Sequence, residues 1–315
     1  MIKKTLYFGN PAYLSLRDNQ LVVRMPLPNK TEVPQDLKEK LVRTIPIEDI
    51  GVVVIDDSQI TITSSLLASL LENNVAVVSC NQSKMPVGLF MPLAGNTVQH
   101  ERFALQTESS LPLRKQLWAQ TIQQKIRNQA SLLMVTSGYH CKNMFKMADD
   151  VKSGDSDNKE GQAAAFYWKN IFGDRFPGFI RNREGCQPNP LLNYGYAILR
   201  AVIARALMSS GLLPTFGLHH HNRYNAYCLA DDVMEPYRPY VDQLVLDIVA
   251  TGELTEGEIT KEQKVRLLGI PALDVVIDGK KSPLLVAAST TTASLVKCFA
   301  GEIRKISYPV MEFDV

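Results

Sequence analysis

The hydrophobic pattern of this chain changes once, around residues 91–100, and that change limits the possible folds more than any other feature. Before it, short β-branched runs alternate with turn residues, which predicts about six short strands and one short helix. After it, apolar residues recur at helical spacing over 111–135, and the run 191–208 is apolar almost throughout. Residues 91–100 contain Pro92 and Gly95 and lack apolar periodicity, which is typical of a linker. We therefore expect two structural parts of different class.

The predicted fold class is α+β in two domains, because 315 residues are enough to build two cores. A small β-rich, sandwich-like domain spans 1–92, a linker spans 93–100, and an all-α domain spans 101–315. Within the second domain we expect helices over 161–172, 191–208, 232–249 and 290–306.

The charge distribution limits how the chain could bind nucleic acid. The formal net charge is only +2, so a globally basic surface is excluded and any nucleic-acid footprint must be local. Residues 175–183 carry three arginines, and residues 111–127 carry four basic residues and no acidic one: Arg114, Lys115, Lys125 and Arg127. Each cluster is either a solvated helix face or loop, or part of a DNA-binding surface.

The five cysteines are scattered and never occur in CxxC spacing, which argues against a disulfide framework and against a zinc site. The chain has no run of eighteen apolar residues, and its first residues lack the apolar segment of a signal peptide. These features predict a cytoplasmic protein that does not enter a membrane.

The stretch 217–239 is the strongest candidate for a catalytic site. Three histidines stand together in it and are followed at short range by acidic residues, a set that could bind a hard divalent cation: His219, His220, His221, Asp231, Asp232 and Glu235. Adjacent imidazoles cannot all point the same way, so at most two of them serve as ligands. A histidine cluster can also be a surface patch that binds nickel or zinc without a catalytic role.

The acidic residues of the candidate site also have structural interpretations. Asp232 and Glu235 have the spacing of a capping box at a helix start, but the same spacing places both carboxylates on one helix face. Glu160 precedes an apolar helical run, and the helix dipole favours a glutamate there whether or not a metal binds. The residues by themselves leave both interpretations open.

The order of the motifs adds a family resemblance. The chain reads EG-x-AA-x-x-YW from Glu160, then FIRNREG, then PLLNYGYAILRAVIARAL, then GLHH and D-x-x-E-P-Y-R-P. In their order, spacing and residue types, these motifs are similar to those of the CRISPR-associated spacer-acquisition integrase family, also described as the universal CRISPR endonuclease. They most resemble the type II branch of that family. The resemblance covers nearly the whole chain.

The resemblance implies a set of metal ligands. The family's metal-binding glutamate falls on Glu160, its G-x-x-H histidine on His220, and its third ligand on Glu235, where much of the wider family has aspartate. Asp232 falls on a supporting acidic position. The implied cofactor is Mg²⁺ or Mn²⁺. The two additional histidines leave an ambiguity of one residue in the imidazole ligand.

The resemblance also implies an activity and partners. The 3′-hydroxyl ends of captured DNA attack a CRISPR repeat by transesterification, so double-stranded DNA is the substrate. Captured DNA varies in sequence and must be held through its phosphates, for which Arg181, Arg183 and Arg238 are the candidates. The expected partners are a second copy of the chain, bound through the β-rich domain, a small dimeric adaptation protein, and the RNA-guided effector nuclease of type II systems.

Two other functions remain open from the sequence. The histidines and carboxylates could serve another metal-dependent hydrolase that acts on a small substrate. Alternatively, the acidic residues could be only helix caps in a DNA-binding adaptor that catalyses nothing.

Overall fold

The structure is a computed structural model, and it describes residues 3–26, 42–138, 141–252 and 259–313. The chain divides into two compact units, residues 1–95 and 96–315. The division falls inside the predicted linker 93–100, although the last two residues of that linker already belong to a helix that begins at Gln99.

The first unit is β-rich, as predicted. It contains two four-stranded sheets, with strand orders β1-β5-β7-β8 and β4-β3-β2-β6. The strands of the first sheet are parallel except for β8, and in the second sheet only the β2–β6 pair is parallel. The elements are β1 (Lys4–Phe8), β2 (Ala12–Arg17), β3 (Gln20–Arg24), β4 (Val42–Pro46), β5 (Ile50–Ile55), β6 (Ile60–Ile62), α1 (Ser64–Glu72), β7 (Ala76–Cys80) and β8 (Pro86–Phe90).

Local sequence explains why this unit forms two sheets around one core. Asp18 and Asn19 both have positive φ, the conformation of the tight turn that joins twisted antiparallel strands, and they connect β2 to β3. Strand β5 is buried along nearly its whole length, which matches its continuous β-branched sequence. Side chains from both sheets and from α1 then share one apolar core, which includes Leu14, Leu21, Val53, Leu66, Leu70 and Val77.

The second unit is mainly helical, again as predicted. It has 3₁₀ turns at Ser153–Asp155, Gly173–Arg175, Glu235–Tyr237 and Ile270–Ala272. Its regular elements are α2 (Gln99–Thr107), α3 (Leu111–Ser137), α4 (Lys142–Asp149), α5 (Lys159–Asn170), α6 (Asn189–Ser209), α7 (Cys228–Met234), α8 (Arg238–Ala250), α9 (Lys261–Leu267), β9 (Asp274–Ile277), β10 (Lys280–Pro283) and α10 (Leu284–Phe299).

Three expectations for this unit are corrected. The unit is not all-α, because β9 and β10 form an antiparallel hairpin. The predicted helix 290–306 instead spans 284–299. The predicted helix 232–249 begins earlier, at Cys228, and a 3₁₀ turn that contains Pro236 interrupts it before α8. A proline lacks the N–H that a continuous helix would use, so the chain changes its hydrogen-bonding pattern there.

Helix α6 forms the centre of the second unit and packs against α7, α8, α9 and α10. By length and composition it could cross a membrane, but 78% of its apolar window is buried inside the protein, as expected for a core helix. It approaches α8 closely at Gly195, where an added Cβ would lie 2.5 Å from Cγ1 of Val241. The missing side chain at Gly195 therefore sets the distance between the two helices.

This contact gives a packing prediction. We expect Gly195→Ala to destabilise the protein by about 1–3 kcal/mol, because a methyl group inserted into a filled core forces its neighbours apart. Val241→Ala removes the atom that clashes, so the double variant should be more stable than the sum of the two single losses by about 1 kcal/mol. Urea unfolding of the four proteins measures this, and strictly additive losses would contradict the proposed close contact.

Candidate active site

The candidate site is built around a buried cation, Lys125, on helix α3. Its side chain is only 10% exposed, and its Nζ lies 2.6 Å from Oε1 of Glu160 and 2.6 Å from Oε2 of Glu235. The two glutamates are 75 positions apart in the printed sequence, on elements that both pack against α3. One ammonium group therefore brings together two of the three predicted metal ligands.

The start of α5 fixes the position of Glu160. The side-chain oxygen of Asn158 accepts the N–H of Gly161, and the Asp155 carboxylate accepts the N–H groups of Lys159 and Glu160. These acceptors satisfy the free donors of the first helical turn and hold its backbone in place. The Glu160 carboxylate is thus free to turn towards Lys125 rather than cap its own helix.

Glu235 lies in the 3₁₀ turn between α7 and α8, and its side chain is 6% exposed. Arg238 forms an ion pair with it, with Nε 2.9 Å from Oε1. The buried Asn128 of α3 holds the same turn, because its Nδ2 donates to the carbonyl oxygens of Pro236 and Pro309 at 2.7 and 3.0 Å. The capping-box interpretation of Asp232 and Glu235 does not hold, since Asp232 lies inside α7 and Glu235 stands at its C-terminal end.

The third predicted ligand, His220, lies in the loop between α6 and α7. Its Nδ1 contacts Oδ1 of Asp232, whose other oxygen accepts the N–H of His219 at 2.9 Å. Asp232 is fully buried, so its contacts attach this loop to α7 in the interior of the protein. The loop can approach α7 because Gly217 has no Cβ, an atom that would lie 2.5 Å from the His220 carbonyl oxygen and 2.8 Å from Oδ2 of Asp232.

The three adjacent histidines have different environments. The ring of His219 stacks on Trp118 with centroids 4.6 Å apart, whereas His220 meets the same indole edge-on at 5.6 Å. His221 is exposed. Of the three imidazoles, His220 is the one that a carboxylate orients, an arrangement typical of a metal-binding histidine whose other nitrogen is available.

The electrostatics of the site favour the charged forms of Lys125, Glu235 and His220. Burial disfavours the Lys125 ammonium, but the Glu235 and Glu160 carboxylates outweigh it and raise the pKa of Lys125. Burial likewise opposes ionisation of Glu235, but Arg238 and Lys125 hold the pKa of its carboxyl below the ordinary value. The hydrogen bond to Asp232 is the main cause that raises the pKa of His220, to which Glu235 and Glu160 also contribute. His220 is therefore close enough to both glutamates to sense their charge.

These residues fit a divalent cation, although they do not form a ready-made cluster. Within the described ranges, no three His, Cys, Asp or Glu side chains stand close enough together to hold a metal as they are. However, two carboxylates already converge on one cationic atom, since Nζ of Lys125 lies 2.6 Å from Oε1 of Glu160 and 2.6 Å from Oε2 of Glu235. Two carboxylates that share one cation, beside an oriented imidazole, are a set of ligands suited to Mg²⁺ or Mn²⁺.

The three arginines predicted to contact DNA occupy different environments. Arg238 is engaged with Glu235, and its guanidinium lies 4.5 Å from the ring centre of Tyr196. Arg181 donates to the side-chain oxygens of Asn189 and Asn193 at 2.9 and 2.7 Å. Arg183 is exposed to solvent. A role in DNA binding remains a prediction for all three, and Arg183 has the most accessible charge.

A second buried carboxylate, that of Asp242 on α8, connects three helices. Its carboxylate accepts hydrogen bonds from the hydroxyl groups of Tyr167 on α5, at 2.8 Å, and Tyr196 on α6, at 2.5 Å. Burial raises the pKa of Asp242 to about 6, even though both tyrosines and the nearby arginines favour its charged form. This network holds the helix that carries Glu160 against the two helices of the core.

Sequence reasoning missed three residues that build the site: Lys125, Asp155 and Asn128. The sequence places Lys125 in a basic run of either solvated or DNA-binding residues, and the solvated interpretation is wrong for it because its side chain is buried. A signal was present, because Lys125 follows Ile122 by three positions and Trp118 by seven and so lies on the apolar stripe of α3. A lysine on a buried stripe requires anionic partners.

A cavity of about 840 Å³ in the same unit contains none of the predicted ligands. It lies between α5 and α8, and its lining includes Lys169, Phe172, Arg175, Leu246 and Asp247. Cavity size is a guide to sites for small molecules. A site for a polymer backbone needs only an accessible edge, which the partly exposed Glu160 and His220 side chains provide.

The chain is similar over most of its length to proteins of one known family. Residues 6–277 match the family model described as CRISPR associated protein Cas1. The chain is 35% identical over 295 residues to "CRISPR-associated endonuclease Cas1" of Neisseria meningitidis serogroup C (strain 8013), which covers 93% of this chain and 91% of the relative. The chain belongs to the Cas1 family. A second relative, "CRISPR-associated endonuclease Cas1 2" of Pyrobaculum aerophilum, is 28% identical over 71% of this chain and 80% of its own length.

Solved structures share the Cas1 fold of this chain. A Cas1 protein from Thermotoga maritima matches with a TM-score of 0.73 and 17% identity, over 95% of this chain and 98% of that one. A structure described as "Casposase bound to integration product" matches with a TM-score of 0.77 and 19% identity, over 100% and 96% of the two chains. The predicted family and the β-rich then helical order are thereby confirmed, whereas the type II branch stays a prediction.

The raised pKa of Asp242 predicts a pH dependence of stability. The folded protein keeps the Asp242 proton up to about pH 6, whereas an unfolded aspartate loses it near 3.8, so this group lowers stability as pH rises between those values. Asp242→Asn removes that effect. The free energy of unfolding of the variant minus that of the parent should therefore increase by about 2 kcal/mol from pH 4 to pH 7.

Urea unfolding at several pH values measures this difference. Asp247→Asn is the matched control on the same helix. Burial also raises the pKa of Asp247, but this residue is exposed to solvent, so its effect should be much smaller. Parallel pH profiles for Asp242→Asn and the parent protein would contradict the assignment.

Proposed function

We propose that this chain is a metal-dependent DNA integrase and endonuclease of CRISPR adaptation. The observation that carries the proposal is the convergence of Glu160 and Glu235 on one cationic atom, beside an imidazole that Asp232 orients. The endonuclease named in the Neisseria relative, over nearly the full length of both chains, supports the same activity. The metal dependence and the transfer reaction go beyond that name and rest on the chemistry of the residues.

In the proposed reaction, a terminal 3′-hydroxyl of captured DNA attacks a phosphodiester at the edge of a CRISPR repeat. A bond forms between the attacking 3′ oxygen and phosphorus, and the bond from that phosphorus to the 3′ oxygen of the repeat strand breaks. The attacking hydroxyl loses one proton and the leaving oxygen gains one, so one phosphodiester replaces another. With water in place of the hydroxyl, the same displacement is endonuclease cleavage.

Different residues of the chain have different roles in this reaction. Glu160, His220 and Glu235 would hold Mg²⁺ or Mn²⁺, which when bound stabilises the negative charge that develops on the phosphate oxygens. Asp232 would accept a hydrogen bond from Nδ1 of His220 and so direct Nε2 towards the metal, which would bind there in place of a proton. Arg238 keeps Glu235 ionised and in place. The DNA hydroxyl is the nucleophile, so the protein need not supply one.

Phosphate contacts would hold the DNA, because captured sequences vary. We assign the direct contact to Arg183, whose guanidinium is exposed, and supporting roles to Arg181 and Arg238, whose guanidinium groups already contact protein side chains. The carbonyl of Arg183 accepts a hydrogen bond from Asn193 at 2.7 Å, so the loop that presents it is attached to α6.

The proposed partners are double-stranded DNA, a second copy of the chain through its β-rich domain, a small dimeric adaptation protein and the type II effector nuclease, all in the cytoplasm. Two solved structures with the same fold support the first and third of these by their descriptions. One is the casposase bound to integration product. The other is a "Cas6-RT-Cas1--Cas2 complex", which matches with a TM-score of 0.72 and 18% identity over 96% of this chain and 35% of that one.

A strand-transfer assay with purified protein, its adaptation partner, Mn²⁺ and a repeat-bearing plasmid tests the proposal. Glu160→Ala, His220→Ala and Glu235→Ala should abolish integration, because each removes a metal ligand. Asp232→Asn should slow it by about 10–100-fold, since it disturbs only the orientation of His220. Glu302→Gln changes an exposed carboxylate and should integrate at the parent rate.

The other candidate functions give different results in the same experiment. A small-substrate hydrolase would turn over activated esters and leave the plasmid intact. A DNA-binding adaptor would retain its function in all three alanine variants. If those variants, folded by circular dichroism, still integrated DNA with metal present, the proposed active site would be falsified.

A further inference from the structure

Lys125 lies where the proposed function places a metal ion. Its Nζ is 2.6 Å from one oxygen of Glu160 and 2.6 Å from one oxygen of Glu235. Burial differs sharply across the cluster, since the exposed fraction of the side chain is 26% for Glu160, 10% for Lys125 and 6% for Glu235. The accessible edge of the cluster is therefore on the Glu160 side.

The cluster needs a cation in order to keep its shape. Two carboxylates that share a mostly buried site repel each other, and without a counter-charge one of them would take up a proton or move into solvent. Arg238 compensates only Glu235, through Oε1, and among the residues that the structure describes it forms no ion pair with Glu160. Lys125 is thus the group that joins the two carboxylates.

The ammonium group and a divalent ion cannot bridge these two oxygens together. Mg²⁺ binds carboxylate oxygens at about 2.1 Å, so an ion on both glutamates would occupy nearly the position of Nζ. Two positive charges at that separation repel strongly in a poorly hydrated site. Metal binding therefore requires the lysine to withdraw, which its flexible four-carbon stem permits.

We propose that Lys125 is an internal counter-cation that holds Glu160 and Glu235 together in the metal-free protein and must leave before a divalent ion can bind both. This inference rests on the proposed metal dependence, and it adds that the chain itself competes with the metal. Its consequence is a lower affinity for the metal in the free protein than the same ligands would give without the lysine.

The test replaces the charge and keeps the length of the side chain. Mn²⁺ binding to the full-length protein is measured by calorimetry and by the electron paramagnetic resonance of free Mn²⁺, for the parent and for Lys125→Met. We expect Lys125→Met to bind Mn²⁺ at least about tenfold more tightly, which corresponds to 1.4 kcal/mol. It should also melt at a lower temperature than the parent in EDTA and gain more thermal stability from Mn²⁺.

Arg127→Met is the matched control. Arg127 lies on the same helix and also forms an ion pair at 2.6 Å, with Asp149, but the exposed fractions of these two side chains are 38% and 67%, so the pair is not part of the buried cluster. This variant should bind Mn²⁺ as the parent does. Equal or weaker binding by Lys125→Met, with Arg127→Met unchanged, would overturn the proposal.

A measurement on the parent protein covers the case in which Lys125→Met does not fold. Acetylation of lysines by an activated ester, followed by mass spectrometry, should leave Lys125 unmodified in EDTA and modify it once Mn²⁺ is bound. If Mn²⁺ binds and Lys125 stays protected, the displacement is wrong while the metal site stands. If neither protein binds Mn²⁺, with or without DNA, the proposed metal dependence fails and takes this inference with it.

Discussion

The buried ion pairs of Lys125 with Glu160 and Glu235 are the interaction on which the candidate site depends. Taking three charged groups out of water costs several kcal/mol each unless they are paired, and removal of one partner leaves the others uncompensated. The structure meets this cost by adding Arg238 to the cluster, so that the two glutamates face two basic side chains. The same arrangement that holds the carboxylates together also fixes where a metal could enter.

Helix α3 organises the site because it supplies a contact to each of its parts. Trp118 packs on the loop histidines, Lys125 joins the two glutamates, and Asn128 holds the turn that carries Glu235. These three residues are seven and three positions apart, which places them along one face of the helix. A long helix with this face towards the protein can therefore align a loop, a helix start and a 3₁₀ turn that lie far apart in sequence.

The sequence predicted the β-rich and helical regions of this protein better than the hairpin and the turn that interrupt the helical region. The change from period-two to helical patterning located the β-rich and helical regions, because burial imposes those periods. It did not reveal the hairpin at β9 and β10 or the turn at Glu235, where prolines and local hydrogen bonds compete with helix propensity. Motif order supplied Glu160 and His220. The position of Lys125 on the apolar stripe of α3 is a sign of burial, but only tertiary contacts show which carboxylates pair with it.

The central claim is that Glu160, His220 and Glu235 form one divalent-metal site from which Lys125 is displaced. Crystals of the protein grown with Mn²⁺ and DNA, with diffraction recorded at a wavelength where manganese scatters anomalously, test it most directly. The account predicts an anomalous peak within bonding distance of both glutamates and of Nε2 of His220, with the Lys125 ammonium moved away from between them. A peak elsewhere, or manganese bound while Lys125 still bridges the two carboxylates, would contradict it.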